Sequence, residues 1–542
     1  MLDARWELRQ VDLRKDVGGI AAAHVGTESV EQEKQGEAGS VTKCRTSNWE
    51  GAVDFHLRTL DESNPSKMTI SLTTTELKSR PDLVAIHGVL YNLPGFAPHH
   101  PGGTMIQGAG AYDASALYTS MHPGQSPLQS TLLQKYRVGT HVRDPTHEKD
   151  VIYQYDSPFA KELLKVVRTS MKKTSWWAPM GFYARIGLIA AATLYSEYQF
   201  IVTGALVWAI LIGVCHSQIG LSIQHDASHG AVSKNWYVND FFAHGADWIG
   251  NSKWIWFQQH ILWHHPHTNH PDLDPDTTSA EPLIKFQNKG LLAKNENTGF
   301  WHPYQHFLLH SVLSLYGPSI VYNPWVLFTM KHNDNIPATV GQSAYMNRQK
   351  VVAGLLRLFY YVRIVVLPWY IGRASFMTGL VVPCLVTGML LTFVFVVSHN
   401  FIGSDRNPTN INRTKQSEAS TSAVSTVPVV ASKKEEDATT SNDDEAPICW
   451  YKAQAETSCT YGGTVGMLLT GGLNLQIEHH LFPRLSSWYY PMIQDDVRAC
   501  CEKHNVNYAY YPTLFHNMWS MLHYVRKVGM SDGFAALKEH AH

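Results

Sequence analysis

The chain has 542 residues, a formal net charge of −1 and 29 histidines. Its length accommodates several domains, or one domain beside a membrane region, and its near-neutral charge gives no general attraction to nucleic acid. The seven cysteines (Cys44, Cys215, Cys384, Cys449, Cys459, Cys500 and Cys501) have no paired spacing, which argues against a disulfide framework and for a reducing compartment.

The N-terminus, MLDARWELRQVDLRKD, lacks the apolar stretch of a secretory signal. Residues 1–70 are polar and without periodicity, and are expected to be disordered. From there the texture changes, and 71–143 reads as a small α+β unit. LVAIHGVLYNL (83–93) predicts two short strands around a His-Gly turn, and KYRVGTHV (135–142) a closing strand. The glycine-rich stretch between them is expected to be helical, and it contains APHHPGG (97–103) and SMHPG (120–124).

Residues 144–542 form the second expected domain. Four apolar stretches fall at 179–195, 200–221, 351–370 and 376–397, with Lys172, Lys173, Trp176 and Trp177 before the first. Their lengths and aromatic flanks predict membrane spans in two hairpins, with short connections near 196–199 and 371–375. With the basic Lys172-Lys173 end cytoplasmic, both termini and the loop 222–350 lie on the cytoplasmic face. Residues 403–447 are Ser/Thr-rich, charged and aperiodic, and read as a disordered insertion.

The histidines cluster on that same face. HDASH places His225 and His229 on one side of a helix. In QHILWHH, His260 and His264 are expected to share a face with His265 beside them. His399 follows the fourth span, and QIEHH supplies Gln476, His479 and His480. His216 and His310 read as ordinary core or surface residues. Imidazole suits iron, zinc and copper, and so many nitrogens exceed the capacity of one ion, so two ions are expected. Asp226, Glu478, Asp272 and Asp276 are available to fix the tautomers.

The boxes HxxxH, HxxxHH and QxxHH around four spans resemble the membrane-bound fatty acid desaturases. Most of these carry histidine where Gln476 stands; the glutamine is similar to the front-end desaturases, which are fused at the N-terminus to a cytochrome b5-like domain. HPGG at 100–103 resembles the haem motif of that domain. The resemblance covers roughly residues 75–530. GLSIQHDASHG, QQHILWHHPHTNH, ETSCTYGG and GLNLQIEHHLFPR look like the microalgal and protist, delta-5-like branch.

The resemblance implies an α-helical multi-pass membrane protein, with about four transmembrane helices and a cytoplasmic helical cap holding a di-iron site, plus the small haem domain. It implies His225, His229, His260, His264, His265, His399, His479 and His480 as iron ligands, with Gln476 at the cluster. His100 and His122 become the axial ligands of haem b, with His99 as the competing candidate for the first. Two axial imidazoles leave no open position for oxygen, so such a haem carries electrons. Related acyl-CoA enzymes carry asparagine one turn before His399; here Phe395 stands there, which speaks against a water-bridged ligand.

Taking hydrogens from an unactivated methylene pair needs an oxidant that no side chain supplies. The resemblance implies O2, two iron ions and electrons from the fused haem, reduced by NADH-cytochrome b5 reductase. Tethering raises the effective concentration of the haem at the iron site. The expected product is a cis double bond near the carboxyl end of a long polyunsaturated acyl chain, best matched by delta-5 action on C20 substrates held as acyl-lipid or acyl-CoA. Delta-4, delta-6 and delta-8 action, or a sphingolipid long-chain-base desaturase or hydroxylase, are the alternatives within this chemistry. A non-catalytic haem-binding membrane redox protein and a zinc membrane hydrolase are those outside it. Spans two and four are expected to wall the acyl tunnel, with Trp254 and Trp256 at its mouth or anchored at the interface. The endoplasmic reticulum membrane is the expected location.

Overall fold

The computed structural model describes residues 70–142, 153–271, 273–287, 299–329, 344–404 and 448–539. The expected disordered tail (1–70) and insertion (403–447) lie outside the described residues except at their edges.

The first unit is a five-stranded sheet in the order β1-β5-β3-β2-β4, formed by β1 (Ile70–Thr73), β2 (Leu83–Ile86), β3 (Val89–Asn92), β4 (Tyr112–Asp113) and β5 (Arg137–Val142). The predicted strands and closing strand are present. His87 and Gly88 both have positive φ and join Ile86 directly to its partner Val89, as a two-residue hairpin turn requires. Every residue of β2 is buried because both faces of the sheet are covered. Leu83 and Ala85 pack with Leu77 and Leu90 on one side. Val84 and Ile86 face the other side, toward helix α1 (Ser115–Met121).

That second face does not close on its own unit. Val84, Ile86 and Tyr112 share one apolar cluster with Trp254, Phe257 and Ile261. The Tyr112 hydroxyl donates to the Leu262 carbonyl at 2.9 Å, and its ring meets Trp263 edge-on. The first unit is therefore packed against the second through a common core.

In the second unit, α2 (Pro158–Ser170) precedes two long helices, α3 (Met180–Thr203) and α4 (Leu206–Ser228). Beyond them lie α5 (253–264), α6 (Gln305–Ser314), α7 (Met346–Tyr370) and α8 (Phe376–His399). The chain finishes with α9 (Trp450–Glu456), α10 (Gln476–Leu481) and α11 (Leu514–Glu539).

Three helices among the described residues, α4, α7 and α8, are long and apolar enough to cross a membrane. The expected first span, α3, has the length at 24 residues but not the apolarity, because Arg185, Glu197, Gln199 and four tyrosine or serine positions interrupt it. The hairpin turn also differs from expectation. It falls at Gly204, not near 196–199, because Phe200–Thr203 continues α3. Gly204 has φ +66°, and a Cβ there would lie 1.6 Å from the Arg373 carbonyl oxygen, so only glycine lets the two hairpin turns touch. The second turn lies between Tyr370 and Phe376, where the sequence placed it.

A polar network links the helices inside the bundle. Arg363 forms an ion pair with Glu197, Nε to Oε2 at 2.9 Å, and Glu197 also faces His216 Nε2 at 3.1 Å and accepts from Trp248 Nε1 at 3.2 Å. His216 thus has the structural role expected of it. On the outside, Leu206, Val207, Ile210, Leu355, Leu358 and Met377 are exposed, as side chains facing lipid are.

Candidate metal centre

The helix ends carry the histidines. As expected of a helix leaving the apolar stretch, α4 runs on past Leu221 through a π-helical stretch, Ile219–Gln224, to the helical turn that presents His225 and His229. A second π-helical stretch, Phe257–His264, changes the phase of the next box. The His265 amide donates to the His260 carbonyl at 3.0 Å, a five-residue step that brings His265 up to His260. His260 and His264 share a face as expected, their rings stacked with centres 5.3 Å apart.

The result is two adjacent groups of buried imidazoles, linked by a third set of His260, His264 and Asp276. His225, His229, His260, His265 and His479 form one; His264, His399 and His480 form the other. Within each group the nitrogens lie within 4.8 Å of one another. His260 Nε2 is 3.1 Å from both His225 Nε2 and His265 Nε2. Two nitrogens bound at right angles to one ion at about 2.1 Å are roughly 3 Å apart, so these separations suit ligands of a shared ion. His229 Nε2, His264 Nε2 and His479 Nε2 are buried without a hydrogen-bond partner, an arrangement costly for a nitrogen that holds nothing. Gln476 Nε2 lies 3.0 Å from His399 Nε2 and 3.2 Å from His480 Nε2, which places its amide at the second group.

The outer nitrogens of His264, His399, His479 and His480 are held by the surrounding structure. His264 Nδ1 faces both oxygens of Asp274 at 3.0 and 3.1 Å, with Asp276 at 3.4 Å. His399 Nδ1 faces the Thr457 carbonyl, His479 Nδ1 the Tyr490 hydroxyl, and His480 Nδ1 both Gln454 and Thr268, all at 3.0 Å. Each contact turns the Nε2 atom inward. Of the acceptors named from sequence, Asp276 takes this role and Asp226 lies 3.5 Å from His225 Nδ1 while accepting from Ser487. Glu478 instead accepts from Tyr508 and Thr460, and Asp272 lies outside the described residues. Asp274, Gln454, Thr457 and Tyr490 were missed, because nothing local in their sequence marks them.

Burial holds His229, His260, His265, His479 and His480 well below the ordinary imidazole range, which keeps them neutral as metal ligands must be. Burial opposes charge on His264 too, but Asp274 and Asp276 outweigh it and raise its pKa to about 9. A cation is thus favoured where His264 sits. The donor set, all imidazole with one amide and flanking carboxylates, fits iron, and the eight rings suffice for two ions.

An apolar cavity opens beside the second group, lined by His264, His399, Phe395, Thr392, Leu313 and Phe286. α8 walls it as expected, but α4 contributes nothing to its lining; α6 and the 279–286 segment take that place. Trp256 lines this cavity and stacks on His260 at 4.3 Å, whereas Trp254 is buried against the first unit and donates to Gln349. Phe395 packs on Trp256 and His260, filling the place of a polar ligand.

A second cavity lies between the two units. His100 and His122 face it, with ring centres 6.2 Å apart. With metal–nitrogen bonds of about 2 Å, imidazoles on opposite sides of one ion have ring centres roughly 6 Å apart. His100 Nδ1 lies 3.4 Å from the Gly103 carbonyl and His122 Nδ1 3.1 Å from the Tyr118 carbonyl, leaving both Nε2 atoms for the cavity. Gly103 has φ +78°, and a Cβ there would strike Trp236. His99 is exposed and stacks on Tyr136, away from the cavity lining. His229 also lines this cavity, so the haem-type pocket and the histidine centre share a wall.

Comparison with known proteins agrees with this layout. The family model for cytochrome b5-like heme/steroid binding domains matches residues 73–142, and that for fatty acid desaturases matches 203–512. The acyl-lipid (7-3)-desaturase of Rebecca salina is 29% identical over 468 residues, covering 85% of this chain and 93% of its own. That of Diacronema lutheri is 28% identical over 467 residues, covering 85% and 94%. The delta(5) fatty acid desaturase A of Dictyostelium discoideum is 25% identical over 465 residues, covering 82% and 90%. The chain is an oxidoreductase that belongs to the membrane-bound fatty acid desaturase family, in the form that carries a cytochrome b5-like domain ahead of the catalytic part.

Proposed function

We propose that this protein is a front-end desaturase that places a cis double bond between an existing one and the carboxyl end of a long polyunsaturated acyl chain. The reading is best matched by delta-5 action on C20 chains carried on a lipid. Relatives named acyl-lipid (7-3)-, acyl-lipid (8-3)- and delta(5) desaturases support the acyl-lipid carrier; delta-4, delta-6 and delta-8 are the competing positions. In this reading residues 71–143 are the haem domain and 144–542 the desaturase domain, and the active-site face is cytoplasmic at the endoplasmic reticulum.

The observation that carries the proposal is the convergence of eight buried imidazoles from distant segments beside an apolar cavity. His225, His229, His260, His265 and His479 hold one iron ion and His264, His399 and His480 the other, with Gln476 beside the second. Bound iron supplies the oxygen chemistry. One O2 takes two hydrogens from the chain, and two electrons with two protons from the donor, leaving two waters. The protein's own residues position and exclude. Asp274 fixes His264; Trp256 and Phe395 cover His260 on the cavity side and keep water from it. The cavity lays the acyl chain along α8, so the distance from His399 sets which carbons are reached. His100 and His122 would hold haem b, which would supply one-electron transfer from NADH-cytochrome b5 reductase, and His229 forms the wall between that cavity and the histidine centre.

Expression in yeast supplied with a panel of polyunsaturated acids, followed by gas chromatography of the products, tests this. A new front-end double bond in a C20 acid is the expected result. Desaturated or hydroxylated long-chain bases, with fatty acids unchanged, would defeat it.

A further inference from the structure

The cavity that carries His100 and His122 is not built by the first unit alone. Arg484, four residues beyond His480, reaches it from the other side. Its NH1 donates to the Met121 carbonyl at 3.1 Å, directly before His122. Arg168 of α2 grips the same segment, donating to the Pro123 and Gly124 carbonyls at 3.0 and 3.2 Å. Arg484 and Arg168 also line a small adjoining pocket with Gln125. Among the described residues Arg484 forms no ion pair with a carboxylate.

A guanidinium withdrawn from water costs free energy unless an anion faces it. Arg484 lines the same cavity as His100 and His122, and its donation to the Met121 carbonyl sets it one residue from His122. The ligand that this pair of imidazoles suits, haem b, carries its only charges on two propionate carboxylates. A planar guanidinium is the side chain best shaped to hold a carboxylate by two hydrogen bonds.

We propose that Arg484, from the segment just after the QIEHH box, holds a propionate of the haem bound between His100 and His122, so that the desaturase part of the chain completes the haem site. This rests on the haem reading given above. Arg484 then acts on the redox couple. Its charge offsets the carboxylate and favours the reduced, less positive iron. It also ties the haem pocket covalently, through Leu481–Pro483, to a pair of histidines of the metal centre.

The test uses the purified full chain in detergent, with the haem midpoint potential read by spectroscopic titration. Arg484→Gln is expected to lower the reduced-to-oxidised ratio at fixed poise about tenfold, about 59 mV for a one-electron couple. Arg484→Lys is expected to stay near the parent. Haem retention is read beside the potential: the parent is expected to hold haem b more tightly than Arg484→Gln, and after reconstitution with haem b dimethyl ester, which lacks propionate charge, the two are expected to release it alike. Parent-like potential in Arg484→Gln, or a difference in haem retention that persists undiminished with the ester, overturns the proposal. If Arg484→Gln loses haem, Arg484→Lys decides: retention supports a charge requirement, and loss in both leaves only the pin on Met121. A parent chain without a bis-imidazole haem spectrum, or a His100→Ala chain that keeps one, defeats the haem reading itself, whatever Arg484 does.

Discussion

His264 has two carboxylates near its outer nitrogen, Asp274 at 3.0 Å and Asp276 at 3.4 Å. An imidazole oriented in this way is a better electron donor and cannot rotate out of line. Replacing Asp274 by Asn is expected to cost about 10–100-fold in iron retention or turnover, read as iron per chain beside product yield. Iron and product both at parental levels would remove Asp274 from the centre. The two metal sites also predict opposite signatures. His480→Ala should abolish product and leave the haem spectrum intact, whereas His100→Ala should erase the haem spectrum. Both effects are readable on the same membranes by absorbance and gas chromatography. Full activity in His480→Ala would show that the third box does not hold iron.

At the scale of elements, the bundle depends on a buried charge pair. Glu197 on α3 and Arg363 on α7 are both nearly free of solvent, and Trp248 and His216 complete the set. Removing one partner strands the other charge, a loss of about 3–5 kcal/mol, whereas replacing both by apolar groups is often close to neutral. Glu197→Ala is therefore expected to unfold at markedly lower temperature in detergent, and adding Arg363→Met should recover much of the loss. A single variant as stable as the parent would show that the pair contributes nothing. Element-level features also mark the limit of what the sequence made legible. The boxes were visible because few roles other than ligation call for so many imidazoles at such spacing. Their grouping was not, because a π-helical step between His260 and His265 leaves no mark in composition. The turn at Gly204 was hidden because Phe200–Thr203 is as apolar as the helix that follows. Asp274 was hidden because its role arises only when the chain folds back ten residues after His264.

At the scale of the whole molecule, the sheet unit and the helical unit share Val84, Ile86, Trp254, Phe257 and Ile261 in one core. A tethered carrier was expected from the sequence, with its gain coming from effective concentration. A docked one differs in kind. It cannot ferry charge between two distant stations; in the function proposed above it works as a relay, taking electrons at its outer edge and passing them on at its inner one. Lengthening the connection at 143–152 with ten Gly/Ser residues is accordingly expected to leave turnover with the natural donor unchanged, measured as product per chain. A loss that scales with the inserted length would mean that the carrier swings. If the relay holds, a reductase never has to vacate its berth for the haem to discharge, and the two half-reactions can overlap in time.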